Sequence, residues 1–272
     1  LKINKQNHDI QTHLHGCLIY KDNPNISDEN FKKEIAKYTK KYKLPPMTAG
    51  VRGMNMSKLL GFYIGGRKKK VTNIFKEIQK RTNDFSKFNK YDDLIENQLQ
   101  KICFWNGVGW LKRDSQNPKA KEFNKLFKNY IFITLYKVLL NLGDQTRQYK
   151  ITYNEWCFFV IFSRSFSDSK DITKNILNFR KEEEFYKIER YLDVSSKRID
   201  ERISDLFYLS SVLKYNEHTN EISIKTSKID YTKKIISNFE KKLKENKIPF
   251  PLENGNKGEY EEMLYNPEPF WE

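Results

Sequence analysis

The chain has 272 residues, enough for two domains of ~100 to 150 residues each. Hydrophobic residues make up 38% of it and aromatic residues 14%, so it can build packed cores and wholesale disorder is excluded. Lys and Arg number 50 against 35 Asp and Glu, and the resulting charge of +15 indicates a polyanionic partner, for which nucleic acid is the first candidate.

The cysteines exclude two further classes of protein. Cys17, Cys103 and Cys157 are odd in number and far apart, which fits neither a disulfide framework nor a paired-cysteine metal site. We therefore expect a reduced, cytoplasmic protein. No apolar run approaches ~18 residues, so we expect no membrane span, and we expect no signal peptide.

The first half of the chain has the order helix, helix, hairpin that is typical of a winged helix. Ser27 and Asp28 precede an apolar spacing that predicts a helix ended by Pro45-Pro46. A second short helix is predicted over residues 48–60, and Gly65-Gly66 is predicted to join two extended runs into a hairpin. Two apolar groups predict further helices: Ile74, Phe75 and Ile78, then Leu94, Ile95, Leu99 and Ile102.

The second half repeats this order. A long amphipathic helix is predicted over residues 123–142, and Thr152 with Glu155 forms a capping-box pattern before an apolar run. Two more helices are predicted, one over residues 168–180 and one from Ser195 or Ser196 to residue 213. A wing follows, with strands at 213–215 and 222–224 around a turn. A last helix is predicted over residues 229–246 and an extended tail over residues 255–272.

These patterns predict a mainly α (α+β) fold of two winged-helix-like modules with small β wings, joined by a long helix. The first module, with an N-terminal arm, is predicted to span residues 1–116 and the second residues 117–228. Residues 229–272 would form a C-terminal helix and tail leading toward a further domain. We expect this segment to be a monomer.

Two surfaces of the first module are candidates for contact with double-stranded DNA. The hairpin places four consecutive cations where they could reach phosphates, although a solvated charged turn would look the same: Arg67, Lys68, Lys69 and Lys70. The short helix could present Arg52, Asn55 and Lys58, spaced by three, to a major groove. Arg can pair with guanine and Asn with adenine, but an ordinary polar face is an equal alternative.

The second module has one candidate reading surface, at the start of its third predicted helix. Recognition helices present their N-terminal turns to the groove. The residues there are Ser195, Ser196, Lys197, Arg198 and Arg202.

Several of these segments resemble the DNA-recognition part of type IIS restriction and nicking endonucleases. Residues 59–72 (LLGFYIGGRKKKVT) and 96–105 (ENQLQKICFW) resemble its first module. Its second module is matched by residues 151–165 (ITYNEWCFFVIFSRS), 172–180 (ITKNILNFR) and 202–224 (RISDLFYLSSVLKYNEHTNEISI), and residues 259–269 (EYEEMLYNPEP) resemble the segment that follows. The resemblance implies tandem winged-helix-like modules that precede a PD-(D/E)xK nuclease domain, part of a bacterial restriction-modification system.

We expect no catalytic residues and no metal site in this segment, and Mg²⁺ only in a nuclease domain beyond residue 272. The strings Asp168-Ser169-Lys170 and Glu245-Asn246-Lys247 match (D/E)xK by chance in a charged chain. His8, His13 and His15 lack further ligands, so an exposed N-terminal arm is favoured over a metal site. No phosphate-binding glycine motif supports a nucleotide cofactor.

Two alternatives to the endonuclease remain. A plasmid-type replication initiator is also a basic tandem winged-helix protein, and it would bind repeated sites without a nuclease. A non-specific structural binder of DNA or RNA would show affinity without sequence preference.

Overall fold

The computed structural model describes residues 5–44, 54–103, 128–161, 163–181, 206–250 and 257–272. The chain divides into two compact units. The first consists of Leu1–Gln98 with Glu261–Glu268, and the second of Leu99–Tyr260 with Pro269–Glu272. The predicted module boundary at residues 116 and 117, and the candidates Arg52, Ser195, Ser196, Lys197, Arg198 and Arg202, lie outside the described residues.

The first unit is built from helices and one small hairpin. Its elements are α1 (Lys5–Asp22), α2 (Asp28–Tyr42), α3 (Asn55–Leu59), β1 (Tyr63–Ile64), β2 (Lys70–Val71), α4 (Asn73–Arg81) and α5 (Asp92–Gln100). The predicted helix after Ser27 is confirmed, because the Ser27 hydroxyl accepts the Asn30 amide proton and Phe31 and Ile35 are buried on one face. The predicted helices α4 and α5 are also confirmed.

The N-terminal residues form a buried helix, so the predicted exposed arm is wrong. Ile10, Leu14 and Tyr20 of α1 are fully buried, and α1 packs against α2, α3 and β2. His13 and His15 are buried as well. Residues 10–17 of α1 are all buried, so this stretch has no polar stripe facing solvent.

The second unit contains a three-stranded antiparallel sheet with helices around it. Its elements are α6 (Ile131–Thr146), β3 (Lys150–Thr152), α7 (Tyr153–Glu155) continued by a π-helical turn (Trp156–Val160), α8 (Ser169–Lys181), β4 (Leu213–Asn216), β5 (Glu221–Ile224) and α9 (Ile229–Lys244). A last helix, α10 (Lys257–Tyr265), follows in the chain, and its residues from Glu261 onward belong to the first unit.

The sheet of this unit has the strand order β3-β5-β4, and β4 and β5 form its wing. Leu213 pairs with Ile224 and Asn216 with Glu221, leaving a four-residue turn at the tip. Strand β3 pairs with β5 on the other side, with Ile151 opposite Ile222. Residues 206–209 are helical and precede the wing, and the Phe207 ring packs 5.3 Å from Trp156 in the core. The described elements follow in the predicted order of helix, strand, helices and wing, while most of the predicted third helix lies outside the described residues.

Two predicted elements of the C-terminal half differ from the structure. Helix α6 begins at Ile131, later than expected, because Lys128 and Tyr130 take part in β-bridges instead. It lies wholly within the second unit. The predicted extended tail is wrong, because residues 257–265 form α10, whose Tyr260 and Leu264 are buried. Among the described residues, no helix is both long and apolar enough to cross a bilayer.

Candidate nucleic-acid interface

The hairpin of the first unit presents a cluster of cations, here called the basic turn (residues 65–70). Tyr63 pairs with Val71 and Ile64 with Lys70, so residues 65–69 form a five-residue turn in place of the predicted two-residue Gly-Gly turn. Gly66 has a φ of 149°, a conformation that favours glycine. Because Tyr63 and Val71 are buried, the base of the hairpin is anchored in the core while its tip faces solvent.

Burial divides the four cations of this turn into two kinds. Arg67, Lys68 and Lys70 are exposed. Lys69 is half-buried, and its backbone amide donates a hydrogen bond of 2.9 Å to the Pro24 carbonyl. The exposed cations are therefore the ones available to a polyanion.

Lys58 adds a further positive charge beside the turn. It is exposed on α3, and a Cβ atom built on Gly65 would lie 3.6 Å from the Lys58 Nζ. Sequence spacing had grouped Lys58 with Arg52 and Asn55 as one helix face. The structure places its ammonium at the hairpin, and the side chain of Asn55 lies outside the described part of the chain.

The corner between α3 and β1 is fixed by polar contacts within the unit. The Gln98 side-chain amide donates to the carbonyls of Leu60 and Leu264, at 2.8 and 2.6 Å. The Thr72 hydroxyl donates to the Gly61 carbonyl at 2.6 Å. Gly61 itself has a φ of 70°, and a Cβ atom there would lie 2.4 Å from the Leu264 carbonyl oxygen. These contacts hold the strand that leads into the basic turn.

In the second unit, a polar network around Glu155 connects β3, α7 and α8. Glu155 is fully buried, and its carboxylate accepts two hydrogen bonds from Arg180, at 2.7 and 2.9 Å. The same carboxylate accepts the Thr152 amide proton, which completes the predicted capping box. Arg180 also donates to the Lys150 carbonyl, so this arginine joins α8 to β3.

The wing of the second unit is not basic. Its strands and turn carry Lys214, which is exposed, beside Glu217, His218 and Glu221. A hydrogen bond from Lys150 lowers the pKa of Glu221, and the two side chains form an ion pair of 2.5 Å. The wing therefore has little net charge with which to attract phosphates.

The carboxylates that match (D/E)xK have structural partners. Asp168 accepts the backbone amide protons of Arg164 and Ser165, both at 3.0 Å, and so caps the turn before α8. Glu245 pairs with Lys247 at 2.7 Å at the end of α9. Within the described ranges, no group of three or more His, Cys, Asp and Glu side chains could hold a metal ion.

His13 and His15 belong to the core of the first unit, whereas the side chain of His8 lies outside the described part of the chain. The Nδ1 atom of His13 lies 2.9 Å from the Ser57 hydroxyl, and burial lowers the pKa of His13 to about 4. The His15 ring stacks on Tyr38 and Tyr42, at centroid distances of 4.8 and 4.7 Å. Both residues join α1 to neighbouring elements.

Sequence reasoning missed the residues that support the basic turn. Tyr20, Pro24 and Ile26 lie beneath Lys69, yet Ile26 is 43 positions away from it in the chain. No local pattern marks such a long-range contact. The available signal was the apolar character of Ile19 and Tyr20 before the Asn-Pro pair.

No protein-family model matches the chain, and no curated protein matches it. Among solved structures, it is similar to the BpuJ1 endonuclease binding domain, determined in complex with pyrene- and phenanthrene-modified DNA. The TM-score is 0.55 at 15% sequence identity, and the match covers 93% of this chain and 91% of that chain. The two chains therefore share a mainly α fold with small antiparallel sheets, as predicted from the sequence.

Proposed function

We propose that the chain recognises double-stranded DNA in a sequence-specific way, as the target-recognition part of a type IIS restriction endonuclease. The basic turn is the observation that carries this proposal. Arg67, Lys68 and Lys70 project into solvent from a hairpin whose base is buried, and Lys58 lies beside them. Exposed cations clustered on an anchored hairpin can neutralise the phosphates of a duplex.

The shared fold supports the same reading. The similar solved structure is named as the binding domain of an endonuclease, and it holds DNA. The match extends over most of both chains, so it is not limited to one small motif that two unrelated proteins could share by chance. In this proposal the segment binds DNA without cutting it, and Mg²⁺ serves only a separate nuclease domain.

Phosphate contacts give affinity, and sequence is read at base edges. We assign the phosphate contacts to the exposed cations of the basic turn and to Lys58. Base reading is assigned to Arg52 and Asn55 in the first unit, and in the second to the predicted third helix: Ser195, Ser196, Lys197, Arg198 and Arg202. These assignments follow from sequence spacing and the known donors and acceptors of the bases.

A paired substitution tests the role of the basic turn. Replacing Lys68 and Lys70 by Ala should lower the magnitude of the salt slope of duplex binding by about 1.8, since each lost phosphate contact contributes about 0.9. Replacing Lys32 and Lys40, which are exposed on α2, removes the same charge and should leave the slope unchanged. Equal slopes for the two double variants would show that the turn makes no phosphate contact.

A further inference from the structure

We infer that Lys69 is a positioning residue, which holds the basic turn in place while its exposed neighbours contact phosphates. This inference rests on the proposed function and assigns one cation of the run a different task. The four consecutive cations therefore do not all have the same role. The difference is visible in the contacts of Lys69.

Lys69 is attached to the segment between α1 and α2 through both its backbone and its side chain. Its amide donates to the Pro24 carbonyl at 2.9 Å. Its ammonium lies 3.5 Å from the Ile26 carbonyl and 5.7 Å from the centroid of the Tyr20 ring. The Tyr20 ring is fully buried and stacks on Phe31, so it provides a fixed surface beneath the cation.

These contacts act on a turn whose base is already fixed. Thr72 bonds to Gly61 at one side of the hairpin, and the backbone amide of Thr72 donates to the Phe62 carbonyl at 3.1 Å. The tip has no strand partner between residues 65 and 69, so Lys69 supplies its attachment to the rest of the unit. A turn held in this way loses less conformational freedom when it meets DNA, which favours binding.

The Lys69 ammonium already interacts with groups of the protein itself. An ammonium that lies against a carbonyl and an aromatic face is less available to a phosphate than the exposed ammonium of Lys68. Loss of Lys69 should therefore weaken binding without removing a released counterion. Loss of Lys68 should weaken binding and also lower the magnitude of the salt slope.

The test compares Lys69→Gln with Lys68→Gln, two neighbouring substitutions that remove the same charge. Duplex binding is measured over a series of salt concentrations, and hydrogen exchange of the amides in residues 65–69 is measured in the free protein. We expect Lys69→Gln to weaken binding about two- to fivefold at every salt concentration with an unchanged slope. Exchange of the residue 69 amide should accelerate. Lys69→Arg, which keeps a cation over the ring, should restore both.

Lys68→Gln should lower the slope by about 0.9 and leave exchange unchanged. A lower slope with unchanged exchange in Lys69→Gln would overturn the inference and make Lys69 a phosphate contact. Unchanged binding would overturn it as well. If the unsubstituted chain binds no duplex, the proposed function fails, and the exchange comparison, which needs no DNA, still decides whether Lys69 holds the turn.

Discussion

His13 couples the stability of the first unit to pH. Burial lowers its pKa to about 4, whereas an unfolded histidine titrates near 6.5. Between these values the unfolded chain binds more protons than the folded one, so stability falls as the pH is lowered through this window. From pH 7 to pH 5 the free energy of unfolding should decrease by about 2 kcal/mol from this residue alone.

Urea unfolding of the chain and of His13→Gln at pH 7 and pH 5 would measure this effect. The substituted chain should lose about 2 kcal/mol less than the unsubstituted one over that interval. His218→Gln, in the exposed turn of the second wing, is the control. Parallel pH dependence of the unsubstituted and His13→Gln chains would show that His13 does not titrate in this way.

Glu155 stabilises the second unit through a buried ion pair. Its carboxylate is fully buried and accepts hydrogen bonds from Arg180 and from the Thr152 amide. Glu155→Ala removes one partner of that pair and should cost about 3–5 kcal/mol of unfolding free energy. Glu221→Ala breaks a partly exposed pair with Lys150 and should cost no more than about 1 kcal/mol. Chemical denaturation of both variants compares them, and equal costs would contradict the assignment.

Single residues also show where sequence reasoning reaches its limit. The run from Arg67 to Lys70 was identified as a candidate surface from the sequence. Which of its members is held inside the protein depends on Tyr20, Pro24 and Ile26, which are distant in the chain. The capping role of Glu155 was predictable, because Thr152 and Glu155 are three residues apart. Its pairing with Arg180, 25 positions away, was not.

Among the elements, the α3–β1 corner depends on a glycine. Gly61 has a left-handed φ of 70°, and an added Cβ would lie 2.4 Å from the Leu264 carbonyl oxygen. Gly61→Ala should therefore lower stability by at least about 1–2 kcal/mol. Gly258 on α10 has open space around its Cβ position, so Gly258→Ala should not lower stability. Thermal unfolding of both variants tests this contrast. Equal unfolding midpoints for Gly61→Ala and Gly258→Ala would contradict it.

Elements with one buried face were predicted well, and helices buried on most sides or through long-range contacts were not. Helix α2 has buried Phe31 and Ile35 with lysines opposite, so its spacing was informative. Residues 10–17 of α1 are all buried and include Gly16 and several polar residues, so this stretch lacks that spacing. Helix α10 is short, and its burial depends on long-range contacts such as that between Leu264 and Gln98. Such contacts leave no local pattern in the sequence.

At the scale of the whole molecule, the repeated order of elements was sufficient to predict the fold class. The second wing was predicted almost to its bounds, because a polar turn separates two short apolar strands. The division into units was less accessible, since residues 261–268 return to the first unit. A segment that rejoins an earlier unit leaves no composition shift in the sequence. The similar solved structure shares this mainly α fold with small antiparallel sheets.

The most direct test of the central claim is selection of bound duplexes from a random-sequence pool by the purified chain. Sequence-specific recognition by two different units predicts enrichment of a single short, asymmetric motif, because each unit would read its own part of the site. Enrichment of repeated copies of one motif would favour a replication initiator instead. Retention of duplexes without any enriched motif, or no retention at all, would contradict the account.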